Sequence, residues 1–382
     1  MAGLYLHIPF CASRCIYCGF YSTTALDLRQ QYVDALCREM ELRHSESPIS
    51  TIYLGGGTPS QLTIPQLEQL LLNINKVYAL TSHPSPLTPE ITIEVNPDDV
   101  TVPFAEALPR LGINRVSMGA QTFDDQRLRF LHRRHSAHQV ALAVQRLRDA
   151  GIHNISIDLM YGFPGETLDG WQFDIDQAVS LHVEHLSAYC LMIEEDTVLY
   201  ERLKMKDERL KMMDEETERQ MYEMLIDRLT AAGYDHYEIS NFARPGYRSR
   251  HNSSYWNDIP YIGLGAGAHS YDEKSRSWNV SDIHAYIDAI NRGELPSGSE
   301  QLDADTHYND RIATALRTSD GLDLTALSDR HRRYCLREAQ RFIDDGLLRQ
   351  DISQGDCPRE RLVLTRKGLF VSDMVMSGLM LV

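Results

Sequence analysis

Six short runs of apolar, mostly β-branched residues recur through the first half of the chain, at residues 4–8, 51–54, 91–95, 115–118, 154–159 and 185–192. Between them lie stretches with helical periodicity, among them 28–43, 64–77, 137–150 and 168–181. Each run passes into a loop rich in glycine or special polar residues, and then into a helix. Strands separated by helices cross over and pair in parallel, so the pattern predicts an α/β fold with a parallel sheet. Six units suggest a partial (β/α)6 TIM-like barrel, with a doubly wound sheet as the alternative topology. In either one, ligands gather at the carboxyl ends of the strands, and the loops that follow the strands are where chemistry is expected.

The first of these loops reads CASRCIYC and carries Cys11, Cys15 and Cys18 in C-x3-C-x2-C spacing. Three thiolates this close can hold three irons of a [4Fe–4S] cluster and leave the fourth iron open for chemistry. Zinc is the competing reading, and it wants a fourth ligand. No second CxxC or HxxxH pair supplies one, which leaves a single distant histidine as its only source. The remaining cysteines, Cys37, Cys190, Cys335 and Cys357, are scattered and read as free thiols rather than a disulfide framework.

With 382 residues the chain has room for one large domain and a small one. A formal charge of −16 without a long Lys/Arg run argues against a nucleic-acid or anionic-membrane surface. No apolar stretch is long enough to span a bilayer, and MAGLYLHIPF lacks the regions of a signal peptide. A cytoplasmic protein is expected. The apolar tail, 369–382, is interrupted by Ser372, Asp373, Ser377 and Gly378 and reads as a packed terminal helix.

Three domains follow from the changes in texture: a barrel core at 1–205, an extension at 206–295, and a small α+β domain at 296–382. The extension opens with an acidic helix at 216–231 and a strand near 237–239. The last domain shows helices at 309–317, 324–332 and 336–345, strands at 347–350 and 361–364, and a final helix from Arg366. Three helices and a hairpin make a winged-helix-like pattern, for which the acidic chain favours a structural role over DNA binding.

Other strand ends carry candidates. Gly55, Gly56, Gly57, Thr58 and Pro59 follow the second strand, either as a tight turn or as backbone open to close approach by a ligand. Glu94, Gln121 and Asp158 are polar residues at or near the ends of apolar strands. A buried carboxylate there wants a partner such as a ribose diol or an ammonium group, unless a structural salt bridge provides it. Arg133, in HRRH, reads either as a solvated charge or as a carboxylate clamp. His251 opens HNSSYW (251–256), where a histidine beside two aromatics suits a heme iron or an ordinary hydrogen-bonded core. GLGAGAH (263–269) lacks dinucleotide-binding spacing and reads as close backbone packing.

Together, YLHIPFCASRCIYC, YLGGGTPS, EVNPD, RVSMGAQTF, IDLMYGFPGET and the winged-helix tail resemble the radical S-adenosylmethionine (SAM) superfamily, within it the oxygen-independent coproporphyrinogen III oxidase-like family. The resemblance runs nearly end to end. It implies a [4Fe–4S] cluster on Cys11, Cys15 and Cys18 whose open iron binds SAM. Tyr5, Gly56 and Glu94 match first-SAM contacts; Tyr17, Gly57, Thr58, Gln121, Arg133, Asp158 and Met192 match second-SAM contacts of the decarboxylating members. Two features depart from those members: Phe20 stands where they have a further cysteine, and Cys11 comes almost at once. HNSSYW instead matches the HNxxYW signature of the heme-chaperone (HemW-type) branch. That match implies heme as cargo, His251 as its binding residue, and a respiratory protein as recipient. The alternative is an oxygen-independent coproporphyrinogen III oxidase of porphyrin biosynthesis, and a different radical reaction on a tetrapyrrole has no specific support. A monomer or a cluster-dependent dimer is compatible with all of this.

Overall fold

The computed structural model describes residues 2–45, 47–78, 88–195, 197–205, 213–352 and 360–381, so Cys357 and the last residue of the tail lie outside the described residues. Six βα units open the chain. They are β1 (Ala2–Ile8), α1 (Arg29–Leu42), β2 (Ile49–Gly56), α2 (Ile64–Tyr78), β3 (Glu90–Val95), α3 (Val102–Arg110), β4 (Arg115–Gln121), the pair α4 (Asp125–Phe130) and α5 (Ala137–Asp149), β5 (Ile155–Tyr161), α6 (Leu168–Ser180) and β6 (His185–Cys190). Neighbouring strands pair in parallel in unbroken sequence order from β1 to β6. That order rules out the doubly wound alternative, whose strand order reverses at a switch point.

The six strands do not close on themselves in the described pairing. After α7 (Val198–Lys204) and α8 (Glu215–Ala231), β7 (Asp235–Glu238) and β8 (Asn241–Ala243) add antiparallel strands beyond β6. Next come α9 (Arg250–Trp256), which carries HNSSYW, and β9 (Tyr261–Leu264), which pairs in parallel with β1. β10 (His269–Tyr271), β11 (Ser275–Asn279), α10 (Ile283–Asn291) and β12 (Ser297–Gln301) complete a twelve-stranded sheet. The expected barrel is therefore partial, with both edges extended by further strands.

Along the six parallel strands apolar and polar positions alternate. Leu4, Leu6, Ile8, Ile52, Leu54, Ile93, Val116, Met118, Ile155, Ile157 and Leu186 are all fully buried in one continuous core with the helices. The opposite parity carries Tyr53, Glu94, Arg115, Ser117, Asp158, Ser187 and Tyr189, which line an interior cavity. Buried parallel strands commonly read as continuous apolar runs because both faces are covered by hydrophobic layers. Here one face lines a polar chamber, and the period-two pattern records it.

The small terminal domain packs α11 (Ala304–Ala315), β13 (Leu322–Asp323), α12 (Asp329–Asp344), β14 (Leu348–Ile352), β15 (Glu360–Leu364), α13 (Arg366–Leu369) and α14 (Ser372–Leu379) around a second core. A three-stranded sheet ordered β13-β15-β14 replaces the simple hairpin. The helices expected at 324–332 and 336–345 are one helix, α12, preceded by a 3-10 turn at Leu324–Ala326. Ser328 ends the turn and caps α12 by accepting from the backbone N–H of His331 at 3.2 Å. The tail helix packs as expected, with Val375, Met376 and Leu379 buried.

Candidate functional site

The cysteine loop leaves β1 through Pro9 and Phe10 and is clasped by the glycine loop after β2. Gly57 N–H donates to the Ile8 carbonyl at 2.9 Å and Thr58 N–H to that of Phe10 at 2.8 Å. A side chain at position 57 would put its Cβ 2.7 Å from the Pro9 carbonyl carbon, so this approach needs glycine. On its far side the loop is anchored by Ile16, buried in a small apolar cluster with Leu131, Phe163, Leu191 and Leu199. Ile16 N–H reaches the Leu131 carbonyl at 3.3 Å, and its own carbonyl accepts from Leu199 at 2.9 Å.

These anchors bring Cys11, Cys15 and Cys18 onto one wall of a cavity of about 690 Å3. Tyr17, Gly56, Gly57, Thr58, Glu94, Gln121, Arg133, Asp158 and Met192 line the same cavity, and Phe20, 71% exposed, stands at its mouth. The Thr58 hydroxyl lies 3.4 Å from Cys11 Sγ, and Arg133 Nη1 lies 3.6 Å from Cys15 Sγ. Burial pushes the Cys11 and Cys18 thiols up, and their neighbouring thiols add to it. Thiols so placed ionise readily only when bound cations share their charge, which irons would do. Among the described residues no three His, Cys, Asp or Glu side chains converge on one ion position.

Arg133 is not a free solvated charge, and its hydrogen-bond partners among the described residues are an amide and a backbone carbonyl rather than a carboxylate. Its Nη2 donates at 2.6 Å to both Asn96 Oδ1 and the Gly119 carbonyl, laying the guanidinium across the end of β4. A Cβ on Gly119 would meet Arg133 Nη2 at 3.1 Å and Gln121 Nε2 at 2.7 Å. The register between β4 and β5 slips between Gly119 and Gln121, and Gln121 takes φ 68°, a left-handed conformation that turns the residue after the bulge.

Glu94 Oε1 accepts from the Tyr53 hydroxyl at 2.7 Å and Oε2 from Gly56 N–H at 3.1 Å. Burial nevertheless pushes its carboxyl up to about 7, with the nearby Asp158 charge adding to the shift. Asp158 accepts weakly from the Ser117 hydroxyl, at 3.3 Å, and is likewise raised by burial. Two half-buried acids that form no ion pair among the described residues present acceptors suited to hydroxyl or ammonium groups of a ligand.

Two expected site residues do not reach the cavity wall. The Tyr5 hydroxyl meets His7 Nδ1 at 3.0 Å, and the ring stacks on Tyr53, 6.3 Å between centroids. His251 is 1% exposed; Nδ1 pairs with the Thr51 hydroxyl and Nε2 with the Tyr255 hydroxyl, both at 2.8 Å. Its ring stacks on Tyr53 at 5.0 Å, and burial lowers its pKa to about 3. The HNSSYW helix is held there by Glu90, whose carboxylate accepts the Arg250 and His251 backbone N–H groups at 3.1 and 3.0 Å. From this motif, Asn252 is the residue that lines the cavity.

The wall also contains Asn96, Arg115, Ser117, Ser187 and Tyr189, none of them singled out in the sequence. Their signal was strand parity: they share the polar face with Tyr53, Glu94 and Asp158. The glycine stretch 263–269 is close packing, since a Cβ on Gly263 would sit 1.9 Å from the His269 carbonyl oxygen.

The radical SAM superfamily model matches residues 5–178. The chain is 36% identical to the heme chaperone HemW of Bacillus subtilis over 339 residues, covering 87% of this chain and 88% of that protein. It is 35% identical to the HemW of Mycobacterium tuberculosis, over 99% of this chain and 94% of its relative. The chain belongs to the HemW family within the radical SAM superfamily. Membership of the radical SAM superfamily implies a [4Fe–4S] cluster and SAM. The coproporphyrinogen III oxidase HemN of Escherichia coli shares the fold, with a TM-score of 0.81 at 21% identity over 99% of this chain and 89% of that one. No helix among the described residues is long and apolar enough to cross a membrane.

Proposed function

We propose that this protein is a cytoplasmic heme chaperone on a radical SAM scaffold, which binds a [4Fe–4S] cluster, SAM and heme and passes heme to a respiratory protein. The observation that carries the reading is the similarity to HemW heme chaperones, 35% identity over 99% of this chain. Cys11, Cys15 and Cys18 are the proposed cluster ligands; when bound, the cluster and SAM together supply one-electron chemistry at a sulfonium. Gly56 and Glu94, with Tyr5 behind Tyr53, are the proposed contacts to the first SAM, and Tyr17, Gly57, Thr58, Gln121, Arg133, Asp158 and Met192 are the proposed contacts to a second one. The core, extension and terminal domain at 1–205, 206–295 and 296–382 are proposed as the working division of the chain.

His251 is the proposed heme-iron ligand. Its Nε2 would have to exchange the Tyr255 hydroxyl for iron, and the buried motif would have to open to admit the macrocycle. Heme titration of His251→Ala tests this: weaker binding and an altered absorption spectrum are expected, and an unchanged titration counts against the role. Anaerobic turnover with reconstituted cluster, SAM, reductant and coproporphyrinogen III separates chaperone from oxidase. Protoporphyrinogen formed in step with 5′-deoxyadenosine would overturn the chaperone reading.

A further inference from the structure

Arg133 sits on the cavity wall without an acidic partner. Its Nη2 donates to Asn96 Oδ1 and the Gly119 carbonyl, and its Nη1 lies 3.6 Å from Cys15 Sγ. Its Nε is buried with no hydrogen-bond partner among the described residues. Asp98 and Asp158 feel its charge, but neither comes within ion-pair distance of it among the described residues; Asp98 pairs with Arg134 at 2.9 Å. A guanidinium does not shed its proton, so one withdrawn from water calls for an anion nearby. A [4Fe–4S] cluster on three thiolates is such an anion, and its negative charge grows when it takes up an electron.

A second donor reaches the same wall. The Thr58 hydroxyl lies 3.4 Å from Cys11 Sγ, and towards a thiolate it donates. Asn96, just after β3, stands between the two. Its Oδ1 accepts from Arg133 at 2.6 Å, and its Nδ2 approaches Thr58 Oγ1 at 3.5 Å, which leaves the hydroxyl proton for Cys11. We propose that Arg133 and Thr58, aimed by Asn96, donate hydrogen bonds to the Cys15 and Cys11 sulfurs of the bound cluster and raise its reduction potential. Hydrogen bonds to ligand sulfurs and a nearby positive charge favour the more negative, reduced cluster. Asn96 touches neither sulfur and is a positioning residue. The inference rests on the proposed ligation by Cys11, Cys15 and Cys18. It is separate from the proposed contacts of Arg133 and Thr58 to a second SAM, because the sulfur contacts act before any SAM binds.

The test is a mediated dithionite titration of the anaerobically reconstituted protein without SAM, read by electron paramagnetic resonance of the reduced cluster. Variants are compared at equal iron and sulfide content. Arg133→Met is expected to lower the ratio of reduced to oxidised cluster about tenfold at a fixed potential, a fall of about 59 mV in the one-electron midpoint. Arg133→Lys, which keeps the charge, should recover part of that fall. Thr58→Val and Asn96→Leu should lower the midpoint by less, and Thr58→Ser should leave it at the wild-type value. A midpoint unmoved in Arg133→Met, or lowered equally in Arg133→Lys, overturns the role of Arg133, and an unmoved Thr58→Val overturns that of Thr58. If Arg133→Met takes up no cluster, Thr58→Val against Thr58→Ser decides in the same way. A wild type that takes up no iron and sulfide overturns the cluster ligation itself, a different result from an intact cluster whose potential ignores these residues.

Discussion

Glu94 accepts hydrogen bonds from Tyr53 and Gly56, yet burial still lifts its carboxyl to about 7. An unfolded glutamate titrates near 4.3, so the folded chain holds this proton more tightly than the unfolded one. Its contribution to stability is therefore complete below about pH 4 and is lost as pH rises through about 7. The loss amounts to about 1–3 kcal/mol. Urea midpoints of the wild type and Glu94→Gln should thus converge at low pH and separate at pH 8, with the glutamine variant the more stable; parallel curves would refute the assignment. Among the cysteines the expected contrast is sharp. Cys15→Ala should abolish bound iron and sulfide after anaerobic reconstitution, whereas Cys335→Ala, in the terminal core far from the loop, should retain both. The three ligand candidates were legible from spacing alone. Arg115 was not, because a lone arginine at the start of a strand looks like a solvated end until its neighbours are known.

The six strands and the helices α1, α2, α5 and α6 were legible within three residues, because their apolar periodicity is the packing requirement itself, whereas the short α3 and α4 were not delimited from the sequence. Helix α12 was not. Its buried stripe is His331, Cys335, Ala339 and Phe342, spaced four, four and three but weakly apolar, so the pattern looked interrupted at 333–335. What separates it from the preceding turn is the Ser328 cap, and Ser328→Ala should cost about 0.5–2 kcal/mol in urea denaturation. A second element-level device is Glu39 of α1, fully buried. It accepts from Arg43 Nε at 2.9 Å, Asn279 Nδ2 at 2.7 Å, Gly265 N–H at 2.8 Å and the Tyr286 hydroxyl at 2.6 Å. One carboxylate thereby ties α1 to the loop after β9, the end of β11 and α10. Glu39→Ala leaves the buried Tyr286 hydroxyl and Gly265 N–H without their acceptor and removes the partner of Arg43 Nε, and should destabilise the chain by about 3–5 kcal/mol.

At the scale of the molecule, Leu369 and Phe370 of the terminal domain pack on the first core, and polar contacts add to this junction. Arg317, after α11, donates to the buried Glu238 carboxylate of β7 at 2.7 Å, and Asp258 accepts from Arg311 at 2.8 Å and lies 2.9 Å from His307 Nε2. Arg317→Met should strand the Glu238 charge and cost about 3–5 kcal/mol. The fluorescence and far-ultraviolet transitions should coincide in the wild type and separate in the variant as the terminal domain loosens; a single unshifted transition would show the contact to be inert. The amino-acid sequence alone determined the alternation of elements, the three-cysteine loop and the family, since each depends on residues close together in the chain or on motifs in a fixed order. Only the tertiary structure decided that further strands extend both edges of the partial barrel, that Arg133 lies across the end of β4, and that His251 lies behind the cavity while Asn252 and Arg115 line it. Those facts depend on which residues of distant strands share one face, and a strand's parity leaves the partner across that face undetermined.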